Sequence, residues 1–223
     1  MPVSIQTVLQ GYSLSSNLGS FAFCGITLIK GAKTTLVDTG HVGRRSILTE
    51  RLKALGYGVN DIDQVVLTHA HWDHSLNIDV FPNAEILLHS AEREYVRNPK
   101  AEDYATPRYV SQMLESSKLR EVHEGEEIDD GVRVLSTPGH SKGSLSLLVE
   151  QADGTAAVCG DALPNSLSVA SHMPRLVFWN VEDAQRSIRT LLERAHEFYP
   201  GHDRPFRVDG SRIHYLQPAE AVR

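Results

Sequence analysis

Apolar and polar residues alternate in short runs along the chain, and the period of the alternation changes where the elements change. Runs at residues 4–9, 21–30 and 34–38 are rich in β-branched and apolar side chains and predict strands, with Gly31 and Ala32 where a hairpin turn belongs. Over 43–55 the period lengthens. Ile47, Leu48, Leu52 and Leu55 recur at helical spacing, and Gly56 supplies a stop. Strands are predicted again at 64–68 and 84–89, followed by a helix over 91–96. The stretch 99–119 is polar around Tyr104, Tyr109 and Met113 and reads as helical or as a mobile lid. Strands resume at 132–136, 144–150 and 156–159, with Asp153-Gly154 as a turn signal. Residues 183–196 read as an amphipathic helix with Ile188, Leu191 and Leu192 on its apolar side.

Strands grouped in each half, with helices after them, predict an α/β protein of four layers: two sheets packed together and helices outside. The length of 223 residues suits one domain over 1–223, and no linker, low-complexity segment or short repeat divides it. Leu36-Val37-Asp38-Thr39-Gly40 and Ala157-Val158-Cys159-Gly160-Asp161-Ala162 each run an apolar strand into an acidic turn containing glycine, as two related halves would. A net charge of −6 offers no basic footprint, so no nucleic-acid partner is expected. No apolar run reaches the length of a bilayer span and no basic start leads into an apolar stretch, so no membrane segment or secretory leader is expected. Cys24 and Cys159 cannot build a disulfide framework, and free thiols in a cytoplasmic protein are the simpler reading.

The 11 histidines change the picture because they cluster. Thr68-His69-Ala70-His71-Trp72-Asp73-His74 follows an apolar strand and places three imidazoles and a carboxylate within six residues. Neutral imidazole and carboxylate suit zinc, iron and related divalent ions. The alternation lets His69 and His71 converge on one ion while Asp73 and His74 turn toward a second.

The spacing His-x-His-x-Asp-His after a strand resembles the metallo-β-lactamase-fold superfamily, closest to its short lactonase-like branch. Further motifs of that family follow in order: Asp38-Thr39-Gly40, Thr137-Pro138-Gly139-His140, Cys159-Gly160-Asp161 and Pro200-Gly201-His202. The resemblance implies an αββα sandwich with a dinuclear site at one edge. It implies that His69, His71 and His140 hold one ion, that Asp73, His74 and His202 hold the other, and that Asp161 bridges them. Zinc is the expected metal, with iron or manganese open. Asp38 is expected to orient a histidine or the metal loop.

Two ions sharing a water lower its pKa, and a metal-bound hydroxide could then open a carboxylic ester, lactone or thioester, with Asp73 as the catalytic proton handler. One departure separates the chain from the lactonases, which place a catalytic tyrosine three residues after the bridging aspartate. Here that position is Pro164. A phosphodiesterase or nuclease of the same fold, a mononuclear-iron persulfide dioxygenase and a metabolite sensor remain alternatives. The expected partner is a small-molecule substrate, with a homodimer left open. Trp72 is a candidate floor of the substrate pocket, His41 a candidate border, and His172, Arg175 and Trp179 are candidate substrate contacts.

Overall fold

The computed structural model describes residues 3–17, 19–174 and 176–220. The first half contributes β1 (Ser4–Leu9), β2 (Tyr12–Ser16), β3 (Gly19–Phe23), β4 (Ile26–Lys30), β5 (Thr34–Val37), α1 (Arg45–Ala54), β6 (Gln64–Val66), α2 (Trp72–Ser75), β7 (Glu85–His89), α3 (Ser90–Tyr95), α4 (Tyr109–Glu115) and β8 (Leu119–Val122). The second contributes β9 (Glu127–Asp129), β10 (Val132–Ser136), β11 (Leu145–Gln151), β12 (Gly154–Gly160), α5 (Leu167–Ser171), α6 (Val181–Arg194), β13 (Glu197–Pro200), β14 (Phe206–Asp209) and β15 (Arg212–Tyr215).

Each half builds its own sheet. The first runs β1-β4-β5-β6-β7-β8 and the second β15-β14-β13-β12-β11-β10-β9, with β2 and β3 forming a separate two-stranded ribbon. The central strands β5, β6, β7, β11, β12 and β13 bury both faces, so they read as near-continuous apolar runs, and adjacent residues enter different cores. Leu36, Val65 and Ile86 face outward under Leu48 and Leu52 of α1 and Val110 and Leu114 of α4. Their neighbours Val37, Val66 and Leu87 face inward and meet Val134, Leu147 and Val158 of the second sheet. On the far side Ala157 and Cys159 pack against Ile188 and Leu191 of α6. The result is an αββα sandwich, as expected from the sequence. Among the described residues, no helix is long and apolar enough to cross a membrane.

The strand expected over 21–30 is two strands. The chain breaks at Cys24 and Gly25, where the Gly25 N–H donates to the Gly201 carbonyl at 2.6 Å and ties this corner to the loop carrying His202. The 99–119 segment divides into turns followed by α4, and those turns reach the metal motif. The two acidic turns singled out in the sequence follow β5 and β12, one from each sheet.

Candidate metal centre

The His-rich motif leaves the end of β6 and is held from below by Asp38. This residue adopts a left-handed conformation (φ 59°), which aspartate tolerates better than most side chains. Its carboxylate accepts from the Thr68 N–H at 2.8 Å, the Thr68 hydroxyl at 2.8 Å and His74 Nδ1 at 2.7 Å. The His140 loop is set by α6. Phe178 N–H donates to the His140 carbonyl at 3.0 Å, and the Trp179 and Asn180 N–H groups reach the Gly139 carbonyl. Gly139 lies so close to this helix that a Cβ there would sit 2.3 Å from the Ala184 backbone. At the last motif a Cβ on Gly201 would lie 2.0 Å from Asp161 Oδ1, so only glycine lets this loop pass.

All seven residues expected to bind metal converge, and donor atoms of His69, His71 and His140 lie within 4.8 Å of one another. The same holds for Asp73, His74 and His202, and for His69, His74 and Asp161. Asp161 faces both groups: its Oδ2 is 3.3 Å from His140 Nε2, while Oδ1 is 3.4 Å from His74 Nε2 and 3.1 Å from His202 Nε2.

The outer nitrogen of each imidazole is engaged, which fixes the one that faces inward. His74 Nδ1 donates to Asp38, His140 Nδ1 to the Leu176 carbonyl at 2.9 Å, and His202 Nδ1 to the Phe23 carbonyl at 3.2 Å. His69 Nδ1 lies 3.1 Å from the Thr68 hydroxyl. His71 is reversed: its Nε2 lies 3.2 Å from Asp103, leaving Nδ1 inward and 2.9 Å from His140 Nε2. With both outer nitrogens donating, two lone pairs face each other across that short gap, an arrangement a cation stabilises. His69 Nε2, His74 Nε2 and Asp161 Oδ1 are buried and have no hydrogen-bond partner among the described residues. Orphaned buried atoms, five inward imidazole nitrogens and the carboxylates of Asp73 and Asp161 fit divalent cations held by nitrogen and oxygen.

The two sides differ electrostatically. Burial, then the neighbouring His74, His71 and His140, pulls His69 well below its ordinary pKa, and burial takes His140 down to about 4. These rings are neutral and ready to donate lone pairs at neutral pH. Burial opposes protonation of His74 as well, but Asp38 and the other acidic neighbours outweigh it and push this histidine up. The same balance, led against burial by Asp161, raises His202. Cys24 also lies near His74 and Asp38, yet burial pushes its thiol up to about 12, and the His74 nitrogen on that side is already bonded to Asp38. Thiolate ligation there is disfavoured.

A cavity of about 310 Å³ opens over the cluster, walled by Phe21, Trp72, Tyr104, Leu176 and Phe178 and bordered by Pro164. Trp72 lines it, as expected. His41 caps the following turn through the Gly43 N–H and packs between Phe23 and Trp72 at the border. His172 is exposed and outside the lining, and Trp179 sits outward, under Lys100 at 4.6 Å. Arg175 lies outside the described residues. Sequence reasoning missed Asp103, whose carboxyl burial would raise but which hydrogen bonds from His71, Thr106 and Tyr95 hold down at about 2. Its one local signal is an Asx turn, with Oδ1 accepting from the Ala105 and Thr106 N–H groups. Phe178, packed edge-on to His71 and His140, was missed as well.

Residues 21–202 match the family model of the metallo-beta-lactamase superfamily, a stretch that includes all seven residues and stops on His202. The chain belongs to the metallo-β-lactamase superfamily. It is 32% identical over 209 residues to metallo-beta-lactamase domain-containing protein 1 of Xenopus laevis, covering 93% of this chain and 82% of that one. It is 31% identical over 158 residues to an N-acyl homoserine lactonase of Bacillus cereus, covering 68% and 60% respectively. The fold is similar to the crystal structure of a metallo-β-lactamase-like protein of Thermotoga maritima, with a TM-score of 0.76 at 21% identity over 93% of this chain and all of that one. As a member of this superfamily the protein is a metal-dependent hydrolase.

Proposed function

We propose that the chain holds two divalent ions, most simply zinc, and hydrolyses a carboxylic ester, lactone or thioester of a small molecule. The observation that carries this reading is the position of Asp161, whose two oxygens face two separate groups of donors beneath an apolar cavity. His69, His71 and His140 would hold one ion, and Asp73, His74 and His202 the other. Bound there, the ions would lower the pKa of a shared water and polarise the scissile carbonyl. The chain supplies orientation and exclusion of bulk water. Asp38 and Asp103 fix the His74 and His71 rings, so both metal groups depend on a buried carboxylate behind a ligand. Phe178, Tyr104 and Phe21 wall the cavity above the cluster with apolar surface, against which an acyl or alkyl group can pack. Asp73 Oδ2 lies 3.5 Å from His202 Nε2 at the cavity wall, where it can orient the attacking water and carry its proton to the leaving oxygen or sulfur.

The N-acyl homoserine lactonase similarity supports the ester and lactone class, and Pro164 argues for a different arrangement around the leaving group. Two complete donor groups favour hydrolysis over iron-dependent oxygen chemistry, for which one group suffices. The test is a screen of zinc-loaded protein on lactones, thioesters, alkyl esters and phosphodiesters, with metal content measured in parallel. We expect about two ions per chain and turnover in the first three classes that stops on chelation. Turnover confined to phosphodiesters, or one ion per chain with full activity, would refute the proposal.

A further inference from the structure

A second and larger cleft of about 1310 Å³ adjoins the cavity and shares Ser13, Asn165 and His202 with it. Its lining is more mixed: beside apolar Phe23, Ile47, Leu167 and Met173 it holds Ser166, Ser168 and Ser171 and three arginines, Arg44, Arg51 and Arg204. The cleft sets two carboxylates against these three arginines, which leaves one positive charge in excess. Glu220 pairs with Arg51 at 3.0 Å, and Asp203 accepts from the Ser166 N–H, the Ser166 hydroxyl and the Tyr215 hydroxyl.

Arg44 and Arg204 are left without a carboxylate partner among the described residues. Arg44 is only 6% exposed, and its guanidinium donates to the Cys24 and Gln10 carbonyls. Arg204 Cζ lies over the Tyr215 ring, 3.7 Å from its centroid; its guanidinium reaches the Gln217 carbonyl at 3.3 Å, and its backbone N–H donates to Asp203 Oδ1. Neutral acceptors satisfy hydrogen bonds but leave charge uncompensated, and a buried cation without a counterion is costly. A planar guanidinium held against an aromatic face is pre-organised for bidentate contact with a carboxylate or phosphate.

We infer that this cleft is a second substrate subsite that takes an anionic arm, carboxylate or phosphate, of the ester or thioester cleaved in the adjoining cavity. The inference rests on the hydrolase reading above. The substrate it describes has two unlike ends, an apolar arm against Phe21 and Phe178 and a charged arm toward Arg204, with the scissile bond between them beside Asp161 and His202.

Three S-butyryl thioesters test it, made from propanethiol, 3-mercaptopropionate and 3-mercaptopropyl phosphate. In each, the oxygen of water bonds to the acyl carbon, the carbon–sulfur bond breaks, and the thiol leaves with the proton. With zinc-loaded protein we expect kcat/KM to be at least tenfold higher for one charged thioester than for the neutral one, mainly through KM. The two charged arms tell carboxylate from phosphate. In Arg204→Gln the charged-to-neutral ratio should fall to about one, and Arg204→Lys should restore part of it. Equal kcat/KM for all three in the parent protein, or a ratio that survives Arg204→Gln, would overturn the subsite. If no thioester turns over while the wider screen finds ester or lactone hydrolysis, the hydrolase reading stands, and titration calorimetry with propyl phosphate and propionate judges the cleft by itself. Tenfold weaker binding in Arg204→Gln supports it, and equal binding in both proteins overturns it.

Discussion

Glu92 tests how far the two halves of the metal centre depend on a single brace. The residue is fully buried on α3, and its Oε1 accepts from the Ala70 N–H at 3.0 Å, between His69 and His71. Its Oε2 accepts from the Ser141 hydroxyl at 2.7 Å and the Gly143 N–H at 2.8 Å, just after His140. One carboxylate therefore fastens the first metal loop to the third-histidine loop. Glu92→Ala leaves the Ala70 and Gly143 N–H groups unpaired, while the Ser141 hydroxyl can still turn to Ser144 Oγ at 2.9 Å. At roughly 1.5 kcal/mol for each of the two, the lower end for bonds to a charged acceptor, the loss is about 3 kcal/mol. For a chain of this size that corresponds to a fall in Tm of about 6–12 °C.

Glu92→Gln keeps the shape but turns an amide NH2 toward at least one of the same donors, so about half that loss is expected. Because the brace joins the loops of His69, His71 and His140, the ion on that side should be the first to go. Differential scanning calorimetry gives the stability, and stepwise chelation followed by elemental analysis gives the occupancy. A Glu92→Gln protein that melts within about 1 °C of the parent, and surrenders its metal no sooner, would refute the brace.

Asp38→Asn replaces an acceptor of three hydrogen bonds with a group that must point its own donors at His74 or Thr68. We expect about 10- to 100-fold weaker metal binding on the Asp73, His74 and His202 side, read by competition with a fluorescent chelator, and unchanged affinity would dismiss the role given to Asp38. Gly201→Ala puts a Cβ where Asp161 Oδ1 now lies; far-UV circular dichroism should stay close to the parent while bound metal drops below one ion per chain, and two retained ions would contradict the geometry. Both cysteines are buried, and burial pushes the Cys24 thiol up to about 12, so at pH 8 its thiolate fraction is about 10⁻⁴. A colorimetric thiol reagent should find no fast-reacting thiol in the native protein and two in denaturant, whereas one fast thiol in the native state would contradict the packing.

The seven residues that converge at the candidate centre were legible because their signal is local. His69, His71, Asp73 and His74 fall within six residues, on the turn after β6 and the short helix α2, and His140, Asp161 and His202 each follow a glycine at or shortly after the end of a strand. The apolar runs that became β5, β6 and β11 were equally plain, since both faces of each are buried. What escaped was set by distance along the chain. Asp103 meets His71 across 32 residues, and Phe178 reaches the centre only because its backbone bonds to the His140 carbonyl. The strand β8 was hidden in a polar sequence, because Arg120 and Glu121 satisfy their charges with Glu85, Glu126 and Arg93 along the sheet. Strand β3 was merged with β4, since the turn at Cys24 answers to the His202 loop rather than to its own neighbours, and β2 was not read as a strand.

The division of the sheets has a practical consequence. Every strand of one sheet precedes residue 123 and every strand of the other follows residue 126, so the chain can be cut once without severing a ladder. A cut at residues 123–126 would leave His69, His71, Asp73 and His74 on one fragment and His140, Asp161 and His202 on the other. Neither fragment would own all of His69, His71 and His140 or all of Asp73, His74 and His202, and each would expose an apolar sheet face made to cover its counterpart. The apolar faces would draw the fragments back together, and only the rejoined pair would bring the seven donors to one place, so the fold offers a cut site at which assembly and completion of the candidate centre coincide.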